Sequence, residues 1–144
     1  MSWGCVLLRL PPDLPAGVDF EWPADLVVPP VGPPAEIEAA LSAAFPGQRH
    51  QGGQSAVETP DGLVLLDYDS CDDDGLATYV GVTCGGSAAA MEAIRLACEA
   101  LGLRGLDSQT GQILDFGPAT AESAKAFRDF RDRALGGCDQ SSQA

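Results

Sequence analysis

The residues most capable of chemistry in this chain form one short acidic run that begins at Asp67. The carboxylates of the run are Asp67, Asp69, Asp72, Asp73 and Asp74. Clustered carboxylates favour calcium, which takes several oxygen ligands at fixed positions of an EF-hand loop, the last of them from a bidentate Glu. Counted from Asp67, the position of that Glu holds Thr78, and counted from Asp72 it holds Thr83. The spacing therefore does not predict a calcium site, and we expect no metal and no other cofactor.

The acidic run belongs to a longer stretch of one charge sign. Eight acidic residues and no Lys or Arg lie between Gln51 and Ile94, and the 144-residue chain has a net charge of −13. Nucleic acids and anionic membranes are bound through clustered Lys and Arg, so this charge argues against both as partners. A basic protein is the partner that such a field attracts. The alternative is an ordinary hydrated turn whose charge keeps the protein soluble.

Nucleophilic chemistry has one candidate, Cys84, in the sequence Cys84-Gly85-Gly86-Ser87 ahead of a predicted helix. A thiol at a helix N-terminus can have a lowered pKa, and the backbone N–H groups there can hold an anion. A small enzyme or ligand-binding domain that uses Cys84 is therefore the alternative to a protein-binding function. The single histidine, His50, lies in a polar stretch and is expected at the surface, so no Ser–His–Asp or Cys–His site is predicted. We expect no catalytic residues and no enzymatic activity.

The cysteines and the apolar runs indicate a cellular compartment. The five cysteines are odd in number, and no two of them form a C-x-x-C pair. The N-terminus lacks the basic start and the apolar run of a secretory signal, and no stretch approaches the roughly 20 apolar residues that cross a bilayer. These features predict free thiols in a reducing cytoplasm.

Hydrophobic periodicity predicts the elements that would position these residues. Strands are expected at residues 5–10, 55–59, 63–68, 77–84, 104–107 and 112–116. Helices are expected at residues 34–45, 88–101 and 121–135. Ser87 is the predicted N-cap of the second helix, Gly102 its C-terminal glycine, and residues 49–53 are expected to be a polar loop. The acidic run falls in the turn between the third and fourth strands, where a rigid sheet would hold its charges forward.

This order of elements predicts a single α+β domain over residues 1–136 and a flexible tail at residues 137–144. Short turns between successive strands favour a largely antiparallel sheet with helices mainly on one face. The embedded β-α-β-β-α-β order also allows a ferredoxin-like arrangement. Eight of the eleven prolines lie in residues 11–34, and this segment should run as extended chain over the surface.

Several short motifs resemble those of a loose group of small bacterial proteins. The chain begins with Met1-Ser2-Trp3, its first predicted helix meets Phe45-Pro46, a later helix ends in Leu101-Gly102, and residues 101–115 look like the closing motif of the group. This chain departs from the group at residues 48–55, which are polar where an aromatic-rich strand is usual. Some members resemble immunity proteins of bacterial toxin systems in size and acidity. The resemblance implies a protein-binding function and supplies no catalytic residues.

These observations together predict an acidic cytoplasmic immunity protein, which neutralises a basic toxin domain by covering its active site. The five aspartates of the run would contact Lys and Arg of the toxin. Tyr68 or Trp22 would be an aromatic anchor beside them. The oligomeric state is left open.

Overall fold

The protein is described by a computed structural model that covers residues 2–15, 21, 23–117, 123–129 and 132–133. Within these residues, six strands form one sheet. The strands are β1 (Trp3–Leu8), β2 (Arg49–Gln51), β3 (Gln54–Thr59), β4 (Gly62–Asp67), β5 (Val80–Cys84) and β6 (Arg104–Asp107). The helices are α1 (Pro34–Ala44), α2 (Ala88–Leu101) and α3, which comprises the helical residues 123–129 and 132–133.

Every strand pairing in the sheet is antiparallel, and the strand order is β2-β3-β4-β5-β1-β6. Helices α1 and α2 pack against each other and both contact β3, so they lie on the same face of the sheet. The predicted α+β class and the antiparallel sheet are therefore confirmed. The elements β1, α1, β4, β5, α2 and β6 follow the β-α-β-β-α-β order, with β2 and β3 added between α1 and β4.

The main core lies between the sheet and the helices. Alternate strand residues point into it, among them Trp3 and Leu7 of β1 and Val64 and Leu66 of β4. Helix α2 contributes Ile94, which is fully buried. Because inward residues alternate with outward ones along each strand, one face of the sheet carries nearly all of the apolar contacts with the helices.

Helix α2 begins and ends where its local signals predict. The Ser87 hydroxyl accepts a hydrogen bond from the Ala90 N–H at 3.1 Å, which satisfies one of the free amides of the first turn. Gly102 ends the helix with a φ of 65°, a left-handed conformation that glycine adopts without strain. These two residues fix the position of the strand-to-helix turn that contains Cys84.

Described residues cover only part of the opposite face of the sheet. Over β1 and β6, Leu10, Leu14 and Val28 pack with Leu8 and Ile113 in a second, smaller apolar cluster. Leu14 and Val28 of this cluster come from the proline-rich segment. The segment thus shields the β1–β6 half of the face.

Two arginines fasten the proline-rich segment to the body. Arg104 Nη1 donates to the carbonyl oxygens of Pro11 and Leu14, at 3.0 and 2.6 Å. Arg9 Nη2 donates to the carbonyl oxygen of Val31 at 2.7 Å. Since proline-rich chain has few backbone partners of its own, these charged donors replace the hydrogen bonds that regular structure would supply.

Some predictions about single elements are wrong or lie beyond the described residues. Residues 49–53, expected to be a loop, contain the short strand Arg49–Gln51. In place of the strand predicted at 112–116, Ile113 forms a single bridge with Leu106. The predicted tail at 137–144 lies outside the described residues. In the described part of the chain, no helix is long and apolar enough to cross a membrane.

Candidate protein-binding surface

The acidic run forms a small hairpin, residues 69–76, between β4 and β5; we call it the acidic hairpin. Its sides are joined where the Ser70 carbonyl oxygen accepts from the Thr78 N–H at 3.0 Å and where Cys71 bridges to Ala77. Near the tip, the Asp72 N–H donates to the Leu76 carbonyl oxygen at 2.9 Å. The run is therefore ordered by backbone hydrogen bonds, as the predicted turn between two strands requires.

Asp72 organises the tip through its side chain. Its Oδ1 accepts from the N–H groups of Asp74 and Leu76, at 2.9 and 3.0 Å. Aspartate commonly stabilises turns in this way. Gly75 has a φ of 77°, a left-handed conformation suited to glycine. The side chains of Asp69, Asp73 and Asp74 are exposed around this frame.

Backbone hydrogen bonds tie both ends of the hairpin to other parts of the fold. At its start, the Tyr68 N–H donates to the Gly53 carbonyl oxygen in the β2–β3 turn at 2.8 Å. At its end, Ala77 donates to the Gly32 carbonyl oxygen at 2.7 Å and accepts from the Val31 N–H at 2.8 Å. The acidic hairpin is thus a projection with a fixed base.

Tyr68 does not lie on this surface, which corrects its predicted role as an aromatic anchor. Its side chain is fully buried, and its hydroxyl lies 2.9 Å from Ser55 Oγ. Tyr68 follows Val64 and Leu66 at every second position, so it points into the core with them. Trp22, the other predicted anchor, lies outside the described residues.

The prediction that His50 is a surface residue is also wrong. His50 is half-buried, with Nδ1 at 2.9 Å from Ser55 Oγ and Nε2 at 3.1 Å from the carbonyl oxygen of Phe45. A carbonyl oxygen can only accept, so Nε2 donates to Phe45, and Nδ1 then accepts from Ser55. Ser55 in turn accepts from the Tyr68 hydroxyl. This chain of hydrogen bonds links the end of α1 to the residue that precedes the acidic hairpin.

No carboxylate of the acidic hairpin forms an ion pair with a described cation. The ion pairs found among the described residues are Arg95–Glu92, Arg95–Glu99 and Lys125–Asp129. Arg9, Arg104 and Arg128 donate to backbone carbonyl oxygens. The negative charge of the acidic hairpin is therefore not neutralised by an ion pair with a described cation.

Repulsion within the acidic run is visible at Asp69. Its pKa is raised, first by a hydrogen bond with the Asp67 carboxyl and then by the negative charge of that group. A like charge disfavours ionisation, so the two carboxylates resist being charged together. A cation brought to this pair by a partner would relieve that repulsion.

Tyr79 is the described aromatic residue on this surface, and our sequence analysis missed it. It is 37% exposed, and its hydroxyl lies 3.3 Å from Ser70 Oγ in the acidic hairpin. Its ring lies over Gly81, where an added Cβ would be 3.6 Å from the ring. Alternation along β5 offered the signal, because Val80 and Val82 point inward and Tyr79 and Gly81 therefore point outward.

The environment of Cys84 does not favour the alternative function. The thiol is buried and its pKa is raised by desolvation, although the Gly86 N–H donates to Sγ at 3.4 Å. Burial also raises the pKa of Cys5 and that of Cys98, the latter to about 12. A nucleophilic cysteine needs a lowered pKa and access to solvent, and Cys84 has neither.

The base of the acidic hairpin yields a testable prediction at Gly53. A Cβ at Gly53 would lie 2.8 Å from Asp69 Cβ, and φ of Gly53 is +79°. Gly53→Ala should therefore combine the left-handed strain of about 1–2 kcal/mol with a clash worth about 1–3 kcal/mol. The loss can be measured by urea denaturation, together with amide chemical shifts of residues 68–70.

Gly52→Ala is the matched control for this change. Gly52 also has a positive φ, +62°, but an added Cβ would have no neighbour within 4 Å. Gly52→Ala should therefore lose only the stability that the left-handed backbone strain costs, and it should leave the amide chemical shifts of residues 68–70 unchanged. Equal losses in the two variants would contradict the close contact between the β2–β3 turn and the hairpin.

Comparison with known proteins adds no assignment: no family model, no curated protein and no solved structure matches the chain. The resemblance to immunity proteins remains a prediction from short motifs. Function must therefore be inferred from the surface itself.

Proposed function

We propose that this protein is a cytoplasmic immunity protein that binds a basic bacterial toxin domain and covers its active site. The observation that carries the proposal is the acidic hairpin, a projection with a fixed base, exposed carboxylates and no ion pair to a described cation. A hydrated turn does not need such fastening. A binding surface benefits from it, because groups that are already ordered lose little entropy on association.

The chemistry of the target follows from the chemistry of the hairpin. Enzymes that act on anionic substrates line their clefts with Lys and Arg. A projecting set of carboxylates can enter such a cleft in place of the substrate, and Tyr79 beside it offers the kind of aromatic contact that is enriched in interfaces. Neutralisation would then result from direct occlusion of the active site.

Replacing the hairpin carboxylates by amides tests this proposal. The variant changes four residues to Asn: Asp69, Asp72, Asp73 and Asp74. Asn keeps the side-chain oxygen with which Asp72 holds the tip, so the fold should be preserved. Removing one partner of a desolvated charge pair costs about 2–5 kcal/mol, so affinity for the cognate toxin domain should fall by at least about 30-fold.

The ligand for this measurement is a basic toxin domain that the unmodified protein neutralises, and binding is read by calorimetry and by protection of toxin-expressing cells. A control variant removes the same number of charges elsewhere, at exposed residues: Asp13, Glu21, Asp25 and Glu36. Because both variants change the net charge equally, a loss confined to the hairpin variant assigns the effect to the hairpin. Full protection by the hairpin variant would exclude it as the interface.

A further inference from the structure

The half of the outer sheet face that spans β2 to β5 is left open by the described residues. We call this surface the open face. Its outward residues include Ala56, Leu63, Leu65, Gly81 and Thr83. Leu63 is 53% exposed and Thr83 is exposed, whereas the apolar cluster on this side of the sheet is confined to β1 and β6. The open face is therefore apolar surface on which no described element packs.

The register of the strands gives the open face a shallow, regular shape. Ala56, Leu65 and Thr83 lie directly opposite one another across β3, β4 and β5. A depression of about 310 Å³ is lined by Ala56, Leu63 and Leu65 and, on the side of β2, by Arg49, Gln51 and Gln54. Four strands spaced about 4.8 Å apart give a face about 15 Å wide, which suits one α-helix of about 10–12 Å diameter.

Carboxylates stand at both ends of this apolar strip. At one end, Asp67 points outward opposite Gln54 and Gly81 and leads into the acidic hairpin. At the other end, Glu58 lies opposite Leu63. Four residues of strand separate the two acidic ends, or about 13 Å. That distance is close to two turns of an α-helix, or about seven to eight residues, which brings the two positions back to the same side of the helix.

Tyr79 makes the open face continuous with the acidic hairpin. Its hydroxyl lies near Ser70 in the hairpin, while its ring lies over Gly81 on the face. A partner that contacts the hairpin would thus meet Tyr79 and then the apolar strip. The area of the open face alone is smaller than the roughly 800 Å² that each partner buries in a standard interface. A stable complex would therefore use the open face and the acidic hairpin together.

We propose that the open face is the docking site for an amphipathic helix of a basic partner protein. Its apolar side would pack on Leu63, Leu65 and Ala56, and Lys or Arg residues about seven or eight positions apart would reach Asp67 and Glu58. The inference rests on the proposed function and adds the element that the partner presents. A second copy of this chain fits poorly, because each copy has a net charge of −13 and the two would repel each other.

Two synthetic peptides of identical composition test this inference without the natural partner. One is a 15-residue helix-forming peptide with leucines along one face and two lysines seven positions apart, and the other is its scramble. Titration at fixed salt should show the protein binding the amphipathic peptide about tenfold more tightly than the scramble. Amide shift changes should map to β3, β4 and β5.

Thr83→Lys is the variant that targets the open face. Thr83 is exposed on β5, directly opposite Leu65, so the substitution should not disturb the core, and a lysine there would lie against the apolar strip and block it. The preference for the amphipathic peptide should fall to about one. The fourfold Asn variant of the hairpin should instead weaken binding of both peptides and keep the preference, so failure of the face and failure of the hairpin are distinguishable.

Three outcomes would overturn the inference. They are equal affinity of the unmodified protein for both peptides, a preference that survives Thr83→Lys, and a concentration-dependent dimer that Thr83→Lys dissociates. The last result would assign the open face to a second copy. Sedimentation of the full chain measures it directly.

Discussion

Replacing Ser55 by alanine is expected to lower the free energy of unfolding by about 2–4 kcal/mol, although it removes a single oxygen atom. Ser55 is fully buried, and its hydroxyl lies 2.9 Å from both Tyr68 Oη and His50 Nδ1. Its removal leaves two polar groups without partners, and each such group costs about 1–3 kcal/mol. Urea denaturation measures the loss, and the slope of the transition should stay unchanged.

Tyr68→Phe is the matched comparison for Ser55→Ala. It removes one hydrogen bond of the chain but leaves the bond between Ser55 and His50, so we expect a loss of only about 1–2 kcal/mol. In the double variant the losses should not add, because both changes break the same hydrogen bond. Full additivity, or a neutral Ser55→Ala, would show that Ser55 does not hold Tyr68 and His50 together.

A comparable loss, about 3 kcal/mol or more, is expected for Asp107→Ala. Asp107 is 2% exposed at the end of β6. Its Oδ1 accepts from the Gln109 N–H at 2.7 Å, and its Oδ2 accepts from the Ser123 hydroxyl at 2.5 Å. Ser123 also accepts from Trp3 Nε1 at 3.4 Å. The carboxylate therefore bonds directly to the turn after β6 and to α3 and reaches Trp3 of β1 through Ser123, and alanine would remove these connections.

Ser123→Ala separates the two roles of Asp107. It removes the link to α3 while the turn keeps its hydrogen bond, so the loss should be about half that of Asp107→Ala. Hydrogen exchange gives a local readout: the Gln109 amide should lose protection in Asp107→Ala and keep it in Ser123→Ala. If protection were lost equally in both variants, the turn would depend on α3 and not on the carboxylate.

Local signals account for what the sequence predicted correctly. Ser87 and Gly102 bound α2 because capping depends on residues within one turn of the helix end. The hairpin of β3 and β4 follows from Pro60-Asp61-Gly62, whose residues favour a turn on their own. Alternation of apolar residues then identified the strands, and the order of the elements gave the α+β class.

Polar residues on the inward side of β2 and β3 explain why β2 and His50 were predicted wrongly. His50 and Ser55 are the inward residues of the β2–β3 pair, and they satisfy each other with hydrogen bonds. When the inward residues of a strand are polar, its sequence shows no alternation of apolar and polar residues. Residues 49–53 were therefore predicted to be a loop. Tyr68 is a different case: it follows Val64 and Leu66 at every second position, a pattern visible in the sequence that places it in the core, so Tyr79 is the described aromatic residue at this surface.

The fastening of the acidic hairpin at both ends has a kinetic consequence. Because Tyr68 is tied to Gly53 and Ala77 to Gly32, the hairpin needs no folding step before it meets a partner. Docking could then proceed at the rate of an electrostatically guided encounter, which reaches about 10⁸–10⁹ M⁻¹s⁻¹ at low salt. That rate constant would fall steeply as ionic strength rises, while the dissociation rate would depend on the close contacts and change far less.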